Sequence, residues 1–134
     1  MMESKMKQFQ YETDTWKRSL ALMREENIHL KNRLTEILKN GYDKKLLENL
    51  EYFQTRFIKE DERIGLIRDD VAAIDKVIVD EFWAEGQAVK ETNKKLATLR
   101  NNVLHAEKQF NELKLEFRNY MLEMFSTKNN MATA

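Results

Sequence analysis

An apolar residue recurs at every third or fourth position of this chain, almost without interruption from Phe9 to Met124. This spacing is typical of long amphipathic helices, each of which buries one stripe of side chains. The chain has no proline and only three glycines, Gly41, Gly65 and Gly86. Because sheet proteins need frequent turns, and turns favour those two residue types, the composition favours an all-α domain with few turns.

The first predicted helix covers about residues 5–39 and carries a heptad repeat. Thr13 and Asn27 are the only polar members of its stripe. Asn40-Gly41 should end the helix, because glycine adopts the left-handed C-terminal conformation at little steric cost. Asp43 suits the N-cap of the next helix. The stripe positions are Phe9, Thr13, Trp16, Leu20, Met23, Asn27, Leu30, Leu34 and Ile37.

Two further helices are predicted at about 44–83 and 87–125. The stripe of the second is interrupted only by Glu60, and the stripe of the third continues through Phe117, Tyr120 and Met124. Residues 126–134 are mostly small and polar, so we predict a disordered tail there. Residues 1–125 then form a single helical-bundle domain.

The connection between the second and third helices allows two folds. A turn at Trp83–Gln87, where Gly86 is the turn residue, gives an antiparallel three-helix coiled-coil bundle. Alternatively, the stripe continues through Phe82 and Glu85 to Val89, which gives a helical hairpin whose very long second helix, about 120 Å, dimerises. We favour the bundle, because three helices of similar length can cover one another's stripes.

Composition also bounds the compartment and the partners. The absence of cysteine excludes disulfides and zinc ribbons and fits a reducing compartment. The polar N-terminal residues do not resemble a signal peptide, and no apolar run is long enough to span a bilayer, so we expect a cytoplasmic protein without integral membrane association. The net charge is zero, whereas a nucleic-acid-binding protein would carry a basic excess.

Few residues could carry chemistry. Glu26 and His29 have the spacing of half a carboxylate-bridged metal site, but His105, the only other histidine, follows Asn102 at the position where a second glutamate is needed. The chain contains three serines, no cysteine and no glycine-rich phosphate loop. We therefore expect no enzymatic activity, no metal and no other cofactor.

Asn27 and Glu60 interrupt otherwise apolar stripes. Counting from the two predicted turns places Glu60 level with Met23 and Phe110, with Asn27, Arg24 and Arg63 as candidate partners. A buried carboxylate has a raised pKa unless it is paired. We interpret Asn27 and Glu60 as polar residues that set helix register at a cost in stability. The alternative is a small regulatory or sensor bundle that binds a ligand or metal in its core around them.

The end of the bundle near Gly41 collects more apolar residues than three stripes can bury. Aromatic and methionine side chains are enriched in interface cores, so this end is a candidate protein interface. The sequence thus favours a structural or protein–protein interaction module of coiled-coil type, which self-associates as a homo-oligomer or docks a partner helix. Peripheral membrane binding is less favoured, because no basic cluster lies beside this end. The candidate interface residues are Leu38, Tyr42, Leu47, Tyr52, Met121 and Phe125.

Overall fold

The computed structural model describes residues 2–39, 44–80 and 87–133, and the side chains within 7–39, 44–78 and 90–124. These residues form three helices: α1 (Met2–Lys39), α2 (Lys44–Asp80) and α3 (Gln87–Thr133). Each helix packs against the other two, and the described residues contain no strand. The prediction of an all-α three-helix bundle is confirmed. Both predicted turns, at 40–43 and 81–86, lie outside the described residues.

The continuous second helix of the alternative fold is wrong. α2 and α3 pack against each other, so they are two separate helices that lie side by side and not one continuous helix. Tyr52, early in α2, bonds to Glu116 in the second half of α3, whereas Ile78, late in α2, shares a cluster with Leu96, early in α3; the two helices are therefore antiparallel. The hydrophobic stripe of α2 is therefore covered within one chain.

The described helix bounds match the predicted ones at the end of α1 and at the starts of α2 and α3. Residues 81–83 of the predicted second helix lie outside the described residues. α1 begins at Met2, a few residues before its predicted start, and α3 continues to Thr133. The predicted disordered tail at 126–134 therefore differs from the structure. No glycine or proline follows Gly86, so the sequence contains no residue that would stop α3 earlier.

A single core runs along the bundle and is divided by the polar residues Asn27 and Glu60. Towards the start of α1 lies the Trp16 cluster, and towards the end of α1 lies the Phe57 cluster; half-buried Leu30 contacts both. The Trp16 cluster comprises Phe9, Trp16, Leu20, Met23, Ile64, Ile67, Val71, Ile74, Ile78, Leu96, Leu99, Val103, Ala106 and Phe110. The Phe57 cluster comprises Leu34, Ile37, Leu50, Phe53, Phe57, Leu113, Phe117 and Met121.

The end of the α3 stripe corrects one sequence assignment. Met121 was predicted to be an interface residue, with the stripe continuing through Tyr120 and Met124; instead Met121 is buried in the Phe57 cluster, and Tyr120 and Met124 are only half-buried. A straight helix has 3.6 residues per turn, so a strict seven-residue repeat drifts away from the core. The four-residue step from Phe117 to Met121 restores the alignment.

Polar contacts between α1 and α3 show how these two helices are aligned. Three contacts join residues that are 88 positions apart in sequence, and successive contacts are one heptad apart along each helix. A constant offset of this kind means that α1 and α3 run parallel in a fixed register. The contacts are Glu12 to Arg100 (2.8 Å), Ser19 to Glu107 (2.6 Å) and Glu26 to Lys114 (2.5 Å).

Exchanging the charges of Glu12 and Arg100 tests this register. Glu12→Arg or Arg100→Glu alone should lower the free energy of unfolding by up to about 1 kcal/mol, because like charges then meet across the interface. The double variant should recover most of that loss in urea unfolding. Glu112→Arg, an exposed change on α3, serves as the control. Additive losses in the double variant would contradict the contact.

Candidate functional site

Asn27 is fully buried and joins α1 to α2 at the middle of the core. Its amide Nδ2 donates to the backbone carbonyl of Phe57 (2.9 Å) and to Oδ1 of Asp61 (2.6 Å). Lys31 donates to the other oxygen of Asp61. Asn27 was expected as a candidate partner of Glu60, but its amide is committed to these two acceptors. We call these residues the Asn27 contact group.

The same arrangement occurs two heptads away, around the buried Thr13. The hydroxyl of Thr13 lies 3.1 Å from Oδ1 of Asp75 and 3.0 Å from the carbonyl of Gln10, so it donates to one or the other. Lys17 donates to Oδ2 of Asp75 at 2.7 Å. In this Thr13 contact group, as in the Asn27 group, a buried polar residue and the lysine four positions later share one aspartate of α2.

Sequence reasoning missed both groups. The signal was present as a polar residue followed four positions later by lysine, twice on α1, and as two aspartates fourteen residues apart on α2. Because the helices are antiparallel, equal spacing on both brings each pair together only in one register. The two groups therefore fix the alignment of α1 and α2.

Glu60 is the buried acid of the core, with 4% of its surface exposed. Its Oε1 lies 3.6 Å from Nη1 of Arg63, so Arg63 is the predicted partner that pairs with it. Burial raises the pKa of Glu60, and electrostatic interactions with Arg63, Arg56 and His105 oppose that rise. Loss of hydration is thus the larger influence on this carboxyl group.

Two buried acceptors in this region have no hydrogen-bond partner, Oδ1 of Asn27 and Oε2 of Glu60. An unsatisfied buried polar atom costs about 1–3 kcal/mol. This supports the interpretation that both residues lower stability. The register part of that interpretation has support only for Asn27, which joins α1 to α2, whereas Glu60 pairs with Arg63 on its own helix. Among the described residues, no group of three or more histidine, aspartate and glutamate side chains could hold a metal ion. Both His29 and His105 are exposed.

The candidate interface residues lie in three different settings. Leu47 and Tyr52 are exposed on α2, by 38% and 45%. Leu38 is half-buried against the Phe57 cluster, and Met121 belongs to its core. Tyr42 and the side chain of Phe125 lie outside what the structure describes. Among the candidates whose side chains are described, Leu47 and Tyr52 are therefore the accessible ones.

Tyr52 is held in a fixed orientation although it is exposed. Nη1 of Arg56 donates to its hydroxyl at 2.6 Å, and the hydroxyl donates to Oε1 of Glu116 at 3.1 Å. The guanidinium of Arg56 also lies 5.6 Å from the centre of the tyrosine ring. On the inner side, the ring packs edge-on against Phe53 at 5.2 Å. Binding of a partner would therefore cost little side-chain entropy at Tyr52.

A cavity of about 410 Å³ lies beside Tyr52, between α2 and α3. Behind it, Phe53, Phe57, Phe117 and Tyr120 form a continuous set of ring contacts with centres 5.2–6.5 Å apart. Tyr120 is among the residues that line the cavity, and its hydroxyl is buried without a hydrogen-bond partner. We call Leu47, Tyr52 and this cavity the Tyr52 surface.

Comparisons with family models, with curated proteins and with solved structures all give no match for this chain. Over the described residues, none of the three helices combines the length and the hydropathy that crossing a membrane requires.

Replacing Glu60 with an apolar residue should stabilise the protein. Glu60→Leu removes a buried charge and joins the two core clusters, so the free energy of unfolding should rise by about 1–4 kcal/mol. Arg63 is partly exposed and can turn to water. Glu62→Leu, at an exposed position, should change stability by less than about 0.5 kcal/mol. A lower melting temperature for Glu60→Leu would show that the acid is needed.

The raised pKa of Glu60 predicts a specific pH dependence. The folded state holds this proton more tightly than the unfolded state, so the contribution of Glu60 improves as pH falls through its folded pKa towards its ordinary value. Glu60→Gln should therefore be more stable than the parent at pH 7, and the difference should shrink towards pH 4. Urea unfolding at several pH values measures it; a constant difference would contradict the shift.

Proposed function

We propose that this chain is a non-enzymatic, coiled-coil interaction module that self-associates or docks a partner helix through the Tyr52 surface. The observation that carries the proposal is the fixed, exposed Tyr52 beside a cavity of about 410 Å³ that Phe53 and Tyr120 also line. Tyrosine and arginine are enriched among the residues that contribute most to interfaces. Tyr52 and Arg56 supply this pair.

The rest of the molecule supports a scaffold role for the helices. The stripes of all three helices are covered within the chain, and polar contacts at heptad spacing fix their alignment. A rigid bundle of this kind presents a surface whose side chains need little reordering on binding, which favours affinity. The Tyr52 surface stands on the Phe57 cluster, and the aromatic contacts there make its support stiff.

The proposal includes a location in the cytoplasm. It is supported by the cysteine-free composition, which suits a reducing compartment.

Sedimentation equilibrium over a wide concentration range tests self-association. If Tyr52 and Leu47 form the contact, Tyr52→Ala with Leu47→Ala should weaken association at least about tenfold, since two anchor side chains are lost. Leu66→Ala is the matched control, because Leu66 is an even more exposed apolar residue of α2 away from this surface. It should leave the association constant unchanged.

Photo-crosslinking tests the partner-helix form of the proposal. A photoreactive phenylalanine at position 47 should capture either a second copy or one defined protein in cells that express the chain. The same group at position 66 should not give that product. A monomer at every concentration, together with no product specific to position 47, would contradict the proposed function.

A second candidate is a sensor bundle that binds a ligand in its core around Asn27 and Glu60. Its support is the pair of buried acceptors without partners. Native mass spectrometry and metal analysis of the purified chain test it: a bound molecule or stoichiometric metal that is lost in Glu60→Leu would favour it over the interaction module.

A further inference from the structure

The heptad midway between the Thr13 and Asn27 contact groups departs from their shared pattern. At the α1 position that holds a lysine in both groups, it has Arg24. At the α2 position that holds an aspartate in both groups, it has Arg68. The flanking heptads pair opposite charges across the α1–α2 interface. The middle heptad instead has a positive charge on each helix.

Both arginines border the same open groove between α1 and α2. The groove comprises two cavities, of about 400 Å³ and 240 Å³, and each of them is lined by Arg24 and Arg68. Neither arginine has an ion pair or a hydrogen bond in the described part of the chain. Gly65 widens the groove, because a Cβ at that position would meet no heavy atom within 4 Å.

The remaining charges in the groove do not neutralise this pair. Lys17 and Asp61 also line it, but each is already engaged, Lys17 with Asp75 and Asp61 with Lys31 and Asn27. Glu25 is the one further carboxylate on the lining of the larger cavity, so one positive charge remains in excess. The rest of that lining is apolar and consists of Leu20, Ala21, Ile28 and Ala72.

We propose that this groove binds a small organic carboxylate whose apolar chain lies against Leu20 and Ile28. The carboxylate takes the place that an α2 aspartate occupies in the heptads on either side. Two guanidinium groups can each donate paired hydrogen bonds to its oxygens, and bound anion removes the repulsion between them. The larger cavity has the volume of a small-molecule site. This inference goes beyond the proposed function and uses a different surface.

Octanoate is a suitable probe, with acetate and octan-1-ol as controls for its head and its chain. Calorimetry should give an octanoate affinity at least tenfold above that of either control, because both the arginines and the apolar wall contribute. In amide NMR spectra the shifts should be confined to residues 17–31 and 61–75. Equal binding of octan-1-ol, or shifts elsewhere, would overturn the proposal.

Arg68→Asp separates the proposed site from a structural role. This substitution places an aspartate opposite Arg24, as in the flanking heptads, so the two can form an ion pair and the melting temperature should rise. Octanoate affinity should fall at least tenfold. Arg68→Gln should lower the affinity without that gain in stability. Arg118→Asp, the same charge change at an exposed position of α3, should leave octanoate affinity within twofold.

Vesicles provide the last arm of the experiment. Binding to phosphatidylglycerol vesicles without any response to octanoate would replace the proposed ligand by a membrane surface and overturn the proposal. Full octanoate affinity in Arg68→Asp would overturn it as well. Octanoate binding should be the same in Tyr52 variants that have lost self-association. The test of the groove and the test of the proposed function therefore have separate readouts.

Discussion

Burial of three apolar stripes against one another is the constraint on which this structure depends. Each helix has one stripe and only two neighbours within the chain, so all three must meet along a common axis. Residues such as Phe57, Phe110 and Leu20 are almost completely removed from water, and removing a core side chain of this size costs about 2–5 kcal/mol. Hydrophobic burial is not directional, however, and a long heptad pattern could slide by a whole repeat with little loss.

Polar residues supply the alignment that the apolar stripes leave open. The Thr13 and Asn27 contact groups set the antiparallel register of α1 on α2, and the heptad-spaced contacts from Glu12 to Lys114 set the parallel register of α1 beside α3. The buried acceptor of Asn27 that has no hydrogen-bond partner is the cost in stability that accompanies this alignment. In the Arg24–Arg68 groove the same positions hold two arginines, which make no ion pair or hydrogen bond within the described part of the chain.

The sequence was sufficient for the parts of the fold that depend on periodicity. The three helices, their order and nearly all buried positions follow from the spacing of apolar residues, and Asn27 and Glu60 stand out as interruptions. The register of α1 against α2 was harder to predict. Counting back from the predicted turn placed Glu60 level with Met23. The contact of the adjacent Asp61 with Asn27 instead places Glu60 level with the residue after Asn27, nearer the end of α1. Turn geometry is not encoded in helical periodicity, so an error of a few residues there shifts every predicted neighbour.

The candidate sites were predictable only in outline. An excess of apolar residues near Gly41 indicated a surface there, but Met121 proved to be core, and the orientation of Tyr52 depends on Arg56 and on Glu116 from another helix. The Arg24–Arg68 pair could not be predicted from either helix alone. The two arginines stand out only when they are compared with the lysine–aspartate pairs that the flanking heptads form at the same interface. Long-range pairing of this kind follows from the fold rather than from local sequence.

The distance between α1 and α3 tests the folded-back bundle most directly. The chain has no cysteine, so spin labels at Arg18→Cys and Lys108→Cys, both exposed positions, report one distance by pulsed electron paramagnetic resonance in protein diluted with unlabelled chains. Parallel neighbouring helices, with axes about 8–10 Å apart, predict a label distance below about 30 Å. A distance near 60 Å, which about 40 helical residues would span if α2 and α3 were continuous, would contradict the bundle.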